Sequence, residues 1–205
     1  MDIAVLPLAI TMMAGPQILS AIVLVTRERG PVRLSLVFLA GVAMAIVVGV
    51  GILYFGVRLL GYTGGAGGAA THPWVEIALA GLLIFLALRS YITRETSRPP
   101  AWLENLQQAG PGQILKIALL LIFLMPTDIV TMLTVAANLS RTGSGLVAAL
   151  PFWLLTLLIA ALPLLGYVTF HRRALVVMPK VRDWMTAHSW LVNIIVYVFF
   201  IIVLV

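Results

Sequence analysis

Leu124-Met125-Pro126-Thr127-Asp128-Ile129-Val130-Thr131 lies near the middle of an apolar run that extends from about residue 114 to about residue 138. A run of roughly 20 apolar residues is the length a helix needs to cross a bilayer. Two residues inside it do not suit a plain membrane helix. Pro126 removes an amide donor and crowds the preceding turn. Asp128 carries a carboxylate, which costs several kcal/mol at the bilayer centre unless it is protonated, paired or facing water. A second stretch repeats the pattern: Met13-Ala14-Gly15-Pro16-Gln17-Ile18-Leu19-Ser20, again with a proline in mid-run and a polar residue directly after it.

The rest of the chain is written for the same solvent. Of its 205 residues 62% are hydrophobic and only 10% charged, too little charge to cover a soluble globule. Six segments have spanning length, at about 3–26, 34–57, 73–92, 114–138, 146–168 and 187–205. Backbone amides find no water in hydrocarbon, so each is expected to be helical. Nothing has the alternating ten-residue pattern of a membrane β-barrel. The start, Met1-Asp2-Ile3, lacks the basic region and cleavage site of a secretory signal, so the first segment is read as retained.

Lysine and arginine set the orientation. Arg27, Arg29 and Arg33 lie in the first loop, Arg89, Arg94, Arg98 and Lys116 flank the third, and Arg172, Arg173, Lys180 and Arg182 fill the fifth. That puts 11 of the 13 basic residues on one side. The odd-numbered loops are therefore read as cytoplasmic and both termini as external. The net charge of +6 is accounted for by these loops and calls for no nucleic acid. Two of the loops read as carrying short interfacial helices, Trp102 to Ala109 and Val181 to His188, each with a tryptophan on an amphipathic turn.

Both prolines are followed, beyond their spans, by a basic turn closed by glycine: Thr26-Arg27-Glu28-Arg29-Gly30 and Ser140-Arg141-Thr142-Gly143. With three spans per half, the halves must run in opposite directions through the membrane. The fold read from the sequence is thus an all-α membrane protein with six transmembrane helices, a 3+3 inverted repeat, N-out and C-out. It forms one transmembrane domain over 1–205, with repeat 1 at about 1–92, a cytoplasmic linker at about 93–113 and repeat 2 at about 114–205.

Broken spans present half-helix ends at the membrane midplane, where amide and carbonyl dipoles can hold a substrate or an ion. The residues expected to line that pathway are Gly15, Pro16, Gln17, Pro126, Thr127, Asp128 and Thr131. Asp128 is the proton carrier or cation ligand of the set, unless it is a neutral acid capping the second half of its span, since Pro-Thr-Asp also resembles a helix start. If the breaks face each other, Gln17 and Thr127 are neighbours, with Thr131 one turn further along the same face.

Other signals are bland. His72 and Glu76 have metal-ligand spacing, but two ligands are too few for a site, so neither metal nor cofactor is called for. Gly41, Ala45 and Gly49 make a small-residue stripe that reads as close helix packing, with dimerisation left open. Ser, His and Asp residues fall at different depths and form no hydrolytic triad, so no enzyme activity is expected. The chain has no cysteine, which excludes disulfides and thiol relays.

The stretch Gly15-Pro16-Gln17-Ile18-Leu19-Ser20-Ala21-Ile22, its turn Thr26 to Arg33, Phe38-Leu39-Ala40-Gly41 and the later Met178-Pro179-Lys180-Val181-Arg182-Asp183-Trp184-Met185 resemble the GAP family. These are the glycopeptidolipid- and sulfolipid-addressing proteins of the lysine-exporter superfamily. The resemblance covers nearly the whole chain. It implies a six-span exporter in the cytoplasmic membrane that moves a cell-envelope glycolipid or related compound outward. The wider superfamily implies export of amino acids or cations by proton antiport. The role given to Asp128 comes from its depth in the run and not from the resemblance. Three readings follow: a lipid exporter with proton coupling, a small-solute exporter, and a non-transporting scaffold for a lipid synthesis or export complex. The partners expected are membrane lipids and a glycolipid or small-molecule substrate; a large lipid would need either a second copy of the chain or a lateral groove for its acyl chains, and the sequence leaves both open.

Overall fold

The computed structural model describes residues 6–13, 16–59 and 106–188. The expected spans at 73–92 and 187–205 lie outside the described residues, apart from the first two residues of the latter. So do Gly15, His72, Glu76 and most of the linker.

All described elements are helical. α1 (Leu8–Met13) and α2 (Pro16–Val25) are two short apolar helices, and α3 (Pro31–Leu59) is a single rod of 29 residues. α4 (Pro111–Leu124) and α5 (Pro126–Arg141) follow the linker. A 3-10 turn (Leu146–Ala149) leads into α6 (Leu150–Thr169), and α7 (His171–Ala187) comes last. Two stretches, Pro31–Leu59 and Leu146–Thr169, are long and apolar enough to cross a membrane, and α4 and α5 together would make a third span bent by 70°.

Proline explains where the helices begin. α2, α3, α4 and α5 each start on one: Pro16, Pro31, Pro111 and Pro126. At the first helical position the missing N–H is one of the groups that has no partner anyway, and the fixed φ already suits the helix. The two mid-run prolines are therefore starting residues of second half-helices rather than kinks inside a continuous one. Residue 125, before Pro126, is extended at φ −79° and ψ 117°, the conformation a following proline imposes. Its carbonyl accepts from the N–H groups of both Asp128 and Ile129, at 3.1 and 3.2 Å.

Two glycines take left-handed turns at helix ends: Gly30 immediately before α3 and Gly143 just after α5. Gly30 and Gly143 both have φ near +60° (62° and 63°), a region that only glycine enters without steric cost. Around Gly143 the N–H of Ser144 reaches back to Leu139 O at 2.9 Å, and that of Thr142 to Asn138 O at 2.9 Å, which satisfies the last carbonyls of α5.

The packing is reciprocal. α3 lies along α4 and α5, while α1 and α2 lie against α6. Each broken element thus rests on an unbroken rod from the other half of the chain. The α3 seam is the small-residue stripe: Gly41 abuts Ala118 and Leu115, and Gly49 abuts Met132, with Ala45 fully buried between them. Phe38, Val42, Ile46 and Val50 complete the buried face of α3, opposite Ile114, Ala118 and Ile122 of α4 and Met132 and Val135 of α5. The outer faces are apolar as well. Leu154, Leu158, Leu162 and Leu165 run down the exposed side of α6, as expected of a surface solvated by lipid.

Two polar contacts tie the ends of the bundle. Arg27 Nη1 donates to Ala109 O at 2.8 Å and so caps the linker's last helical turn, at 106–108, with a cation. At the other end Tyr54 donates its hydroxyl to Ser144 O at 3.1 Å, and Arg58 donates to Tyr54 at 3.2 Å.

One expectation is corrected. The amphipathic helix after α6 does not start near Val181; it starts at His171 and runs through Pro179 for 17 residues. Ala174, Met178 and Met185 share its inward face, Ala174 buried and Met185 packed on the core. That apolar stripe holds the helix together across the one hydrogen bond that Pro179 cannot make.

Candidate polar site between the two helix breaks

The first turns of α2 and α5 meet. Gln17, second residue of α2, donates its Nε2 to Oδ2 of Asp128, third residue of α5, across 111 positions of sequence. Both side chains are almost fully buried, Gln17 at 2% and Asp128 at 1% exposure. α1 also touches α5 directly, so the contact belongs to a wider junction between the two broken elements.

Local structure puts each group where it is. Each proline starts its helix, which sets the next residues in the first turn with their side chains pointing back toward the break. Asp128 sits in the first turn of α5, where the positive end of the helix dipole favours a carboxylate. Gln17 holds the matching place in α2. Gln17 and Thr127 were expected as neighbours across the breaks; Gln17 gives its bond to Asp128, and Thr127 is the next residue in the chain, half-buried. Thr131 is one turn further along α5 and fully buried. Pro16 is half-buried at the head of α2, and Pro126 heads α5. Gly15 lies outside the described residues.

The hydroxyls nearby divide into two kinds. Thr11 donates to Leu8 O at 2.8 Å, Ser20 to Pro16 O at 2.7 Å and Thr156 to Phe152 O at 2.8 Å. Each is turned back on its own helix, the usual arrangement where no water competes. Thr131 Oγ1 is different: it is buried without a hydrogen-bond partner among the described residues, as is Gln17 Oε1. An unmet buried polar atom costs about 1–3 kcal/mol. Two of them, one on Gln17 itself and one a turn from Asp128, mark this junction as a place that can receive a polar guest or a proton. Nothing in the sequence singles out Thr131 among the threonines of the apolar runs. The signal is its spacing of three from Asp128, which puts both on one helix face.

Chemically, the pair can do one thing well. A primary amide is a donor on one side and an acceptor on the other. Gln17 can meet an ionised Asp128 with its N–H and, turned over, a protonated Asp128 with its oxygen. The pair therefore offers a hydrogen bond to either state of the acid. Among the described residues no group of three or more His, Cys, Asp or Glu side chains is placed to hold a metal.

A family model described as "Sap, sulfolipid-1-addressing protein" matches residues 5–205. No curated protein and no solved structure matches the chain.

Proposed function

The chain belongs to the family of sulfolipid-1-addressing proteins, and on that premise we propose that it is a small secondary exporter of the cytoplasmic membrane that moves an envelope glycolipid or related compound outward. The proposal takes the chain as six spans in two inverted halves, with both termini outside. The reciprocal packing supports this, since each broken element rests on a rod of the other half. The left-handed glycines that follow each broken element, Gly30 in the turn between α2 and α3 and Gly143 after α5, support it too.

The observation that carries the reading is the buried Gln17–Asp128 pair between the two breaks. An acid held in hydrocarbon by a neutral amide is a functional device by default. Transport would proceed by alternating access. The two broken elements rock against their rods, and Asp128 takes a proton from one side and releases it to the other as substrate exchanges. Gln17 would follow each change by turning its amide.

The test compares envelope lipids and internal solutes in cells that lack the protein, then restores wild type or Asp128→Asn. A surface lipid that disappears and returns only with wild type supports the exporter and the role of the acid. Normal export by Asp128→Asn, still dependent on the proton gradient, would remove Asp128 from the mechanism. Unchanged lipids with an amino acid or cation accumulating inside would move the assignment to small-solute export.

A further inference from the structure

α7 carries two kinds of cation. Arg182 is engaged: its Nε and Nη2 both donate to Asp183 Oδ1, at 2.9 and 2.8 Å. Arg173 and Lys180 are exposed, and neither has an acidic partner among the described residues. They stand on one stripe of the helix with Val177 between them and Trp184 beyond, at spacings of four, three and four. No acid lies on that stripe; Asp183 stands to one side of it, roughly a quarter-turn round the helix, and is held by Arg182.

Beside Arg173 the helix corner is hollow. Gly166, Phe170, Arg173, Ala174, Val177 and Met178 line a groove of about 310 Å³. Apart from the arginine its walls are apolar. Gly166 keeps it open by letting Met178 approach, since a Cβ there would meet Met178 Cε at 3.3 Å. Phe170, Val177 and Trp184 are each more than half exposed, and the patch continues onto Leu165 and Val168 at the lipid-facing end of α6. A solvated helix face would not carry this much apolar surface. An apolar groove with one cation in its wall, a second further along the same stripe, neither with an acidic partner among the described residues, and a tryptophan beyond matches a molecule that has an acyl chain and an anionic head. An acidic peptide would leave the groove and the adjoining leucine surface unused.

We propose that the corner between α6 and α7 binds one anionic membrane lipid, its chain in the Gly166–Met178 groove and its phosphate or sulfate between Arg173 and Lys180. Trp184, stacked on His188 with ring centroids 5.1 Å apart, lies at the headgroup level. This site is separate from the Gln17–Asp128 junction and stands whether or not the protein is an exporter.

The test is native mass spectrometry of the full chain released from neutral detergent, with equal amounts of phosphatidylglycerol and phosphatidylcholine. Wild type is expected to retain phosphatidylglycerol in preference, and Arg173→Gln/Lys180→Gln to lose that preference by on the order of tenfold. Arg172→Gln/Arg182→Gln removes the same charge from the rest of the helix and is expected to keep it. Equal retention of both lipids by wild type overturns the proposal. So does an equal loss in the two double variants, which would show that total charge and not the stripe attracts the lipid. Unfolding curves of all three proteins, expected to coincide, establish that lipid loss is not loss of fold.

Discussion

Replacing Gly41 by alanine puts a methyl group into the close contact between α3 and α4. The new Cβ would stand 2.7 Å from Ala118 Cβ and 3.2 Å from Leu115 Cδ1. Carbon atoms rest at about 3.5–4.0 Å, so α3 and α4 must part by roughly 1 Å. Ala118 has no rotamer with which to give way; only the backbones can move. Overpacking of this kind costs about 1–3 kcal/mol, while the helix propensity gained on losing a glycine offsets about 1 kcal/mol. The net is a loss of up to about 2 kcal/mol. At about 2–4 °C per kcal/mol for a chain of this size, the melting temperature falls by up to about 8 °C. The same substitution elsewhere in α3 isolates the cause. A Cβ at Gly49 meets the thioether end of Met132, which can rotate aside, so Gly49→Ala costs less. Gly51 and Gly56 have nothing within 4 Å, so alanine there leaves stability unchanged or raises it by up to about 1 kcal/mol. The assay is the monodisperse fraction of detergent-solubilised protein after heating, read by size exclusion for all four variants. If Gly41→Ala melts no lower than Gly51→Ala, the α3–α4 seam is not where the structure puts it.

Two further outcomes follow from the polar contacts. Gln17→Leu strands a buried acid and is expected to destabilise by about 1–3 kcal/mol, whereas Gln17→Leu/Asp128→Leu, which removes both partners, costs less than the single change; a double variant weaker than Gln17→Leu in the same heating assay would mean that the pair is not the main polar contact of either residue. Arg27→Gln loses the charged bond to Ala109 O, at 2.8 Å, and is expected to speed proteolysis at residues 106–110 severalfold, while Arg29→Gln, on an exposed side chain, leaves the cleavage rate unchanged.

Much of this architecture was open to a reader of the sequence, for identifiable reasons. Apolar runs of spanning length admit few alternatives to helix, and a proline with a polar neighbour in mid-run is a local signal of a break. The small-residue stripe at Gly41, Ala45 and Gly49 was legible as packing because its spacing holds it to one face. What sequence could not supply was pairing. Gln17 and Asp128 each stood out as polar residues in apolar surroundings, but 111 positions separate them, and only the fold brings the amide to the acid rather than to Thr127. α7 was harder still. His171, Arg172, Arg173 and Pro179 read locally as loop, and the inward face that makes the segment a helix is visible only once Ala174 and Met185 have something to pack against. The breaks, too, were legible as positions but not as geometry: Pro126-Thr127-Asp128 already resembled a helix start, but the 70° bend between α4 and α5 could not be read from it.

The order of the two polar partners along the chain also bears on how the protein is made. Synthesis runs from the N-terminus, and segments fold in that order, so in the proposed six-span arrangement α2 with Gln17 would enter the bilayer first as a neutral amide. Asp128 is the member of the pair that hydrocarbon penalises most, and it arrives 111 residues later, when its donor is already there. The acid is thus received by a partner on entry and does not wait in lipid for one. A circularly permuted chain that began with the second half would reverse the sequence of events, and would have to insert its least welcome residue alone.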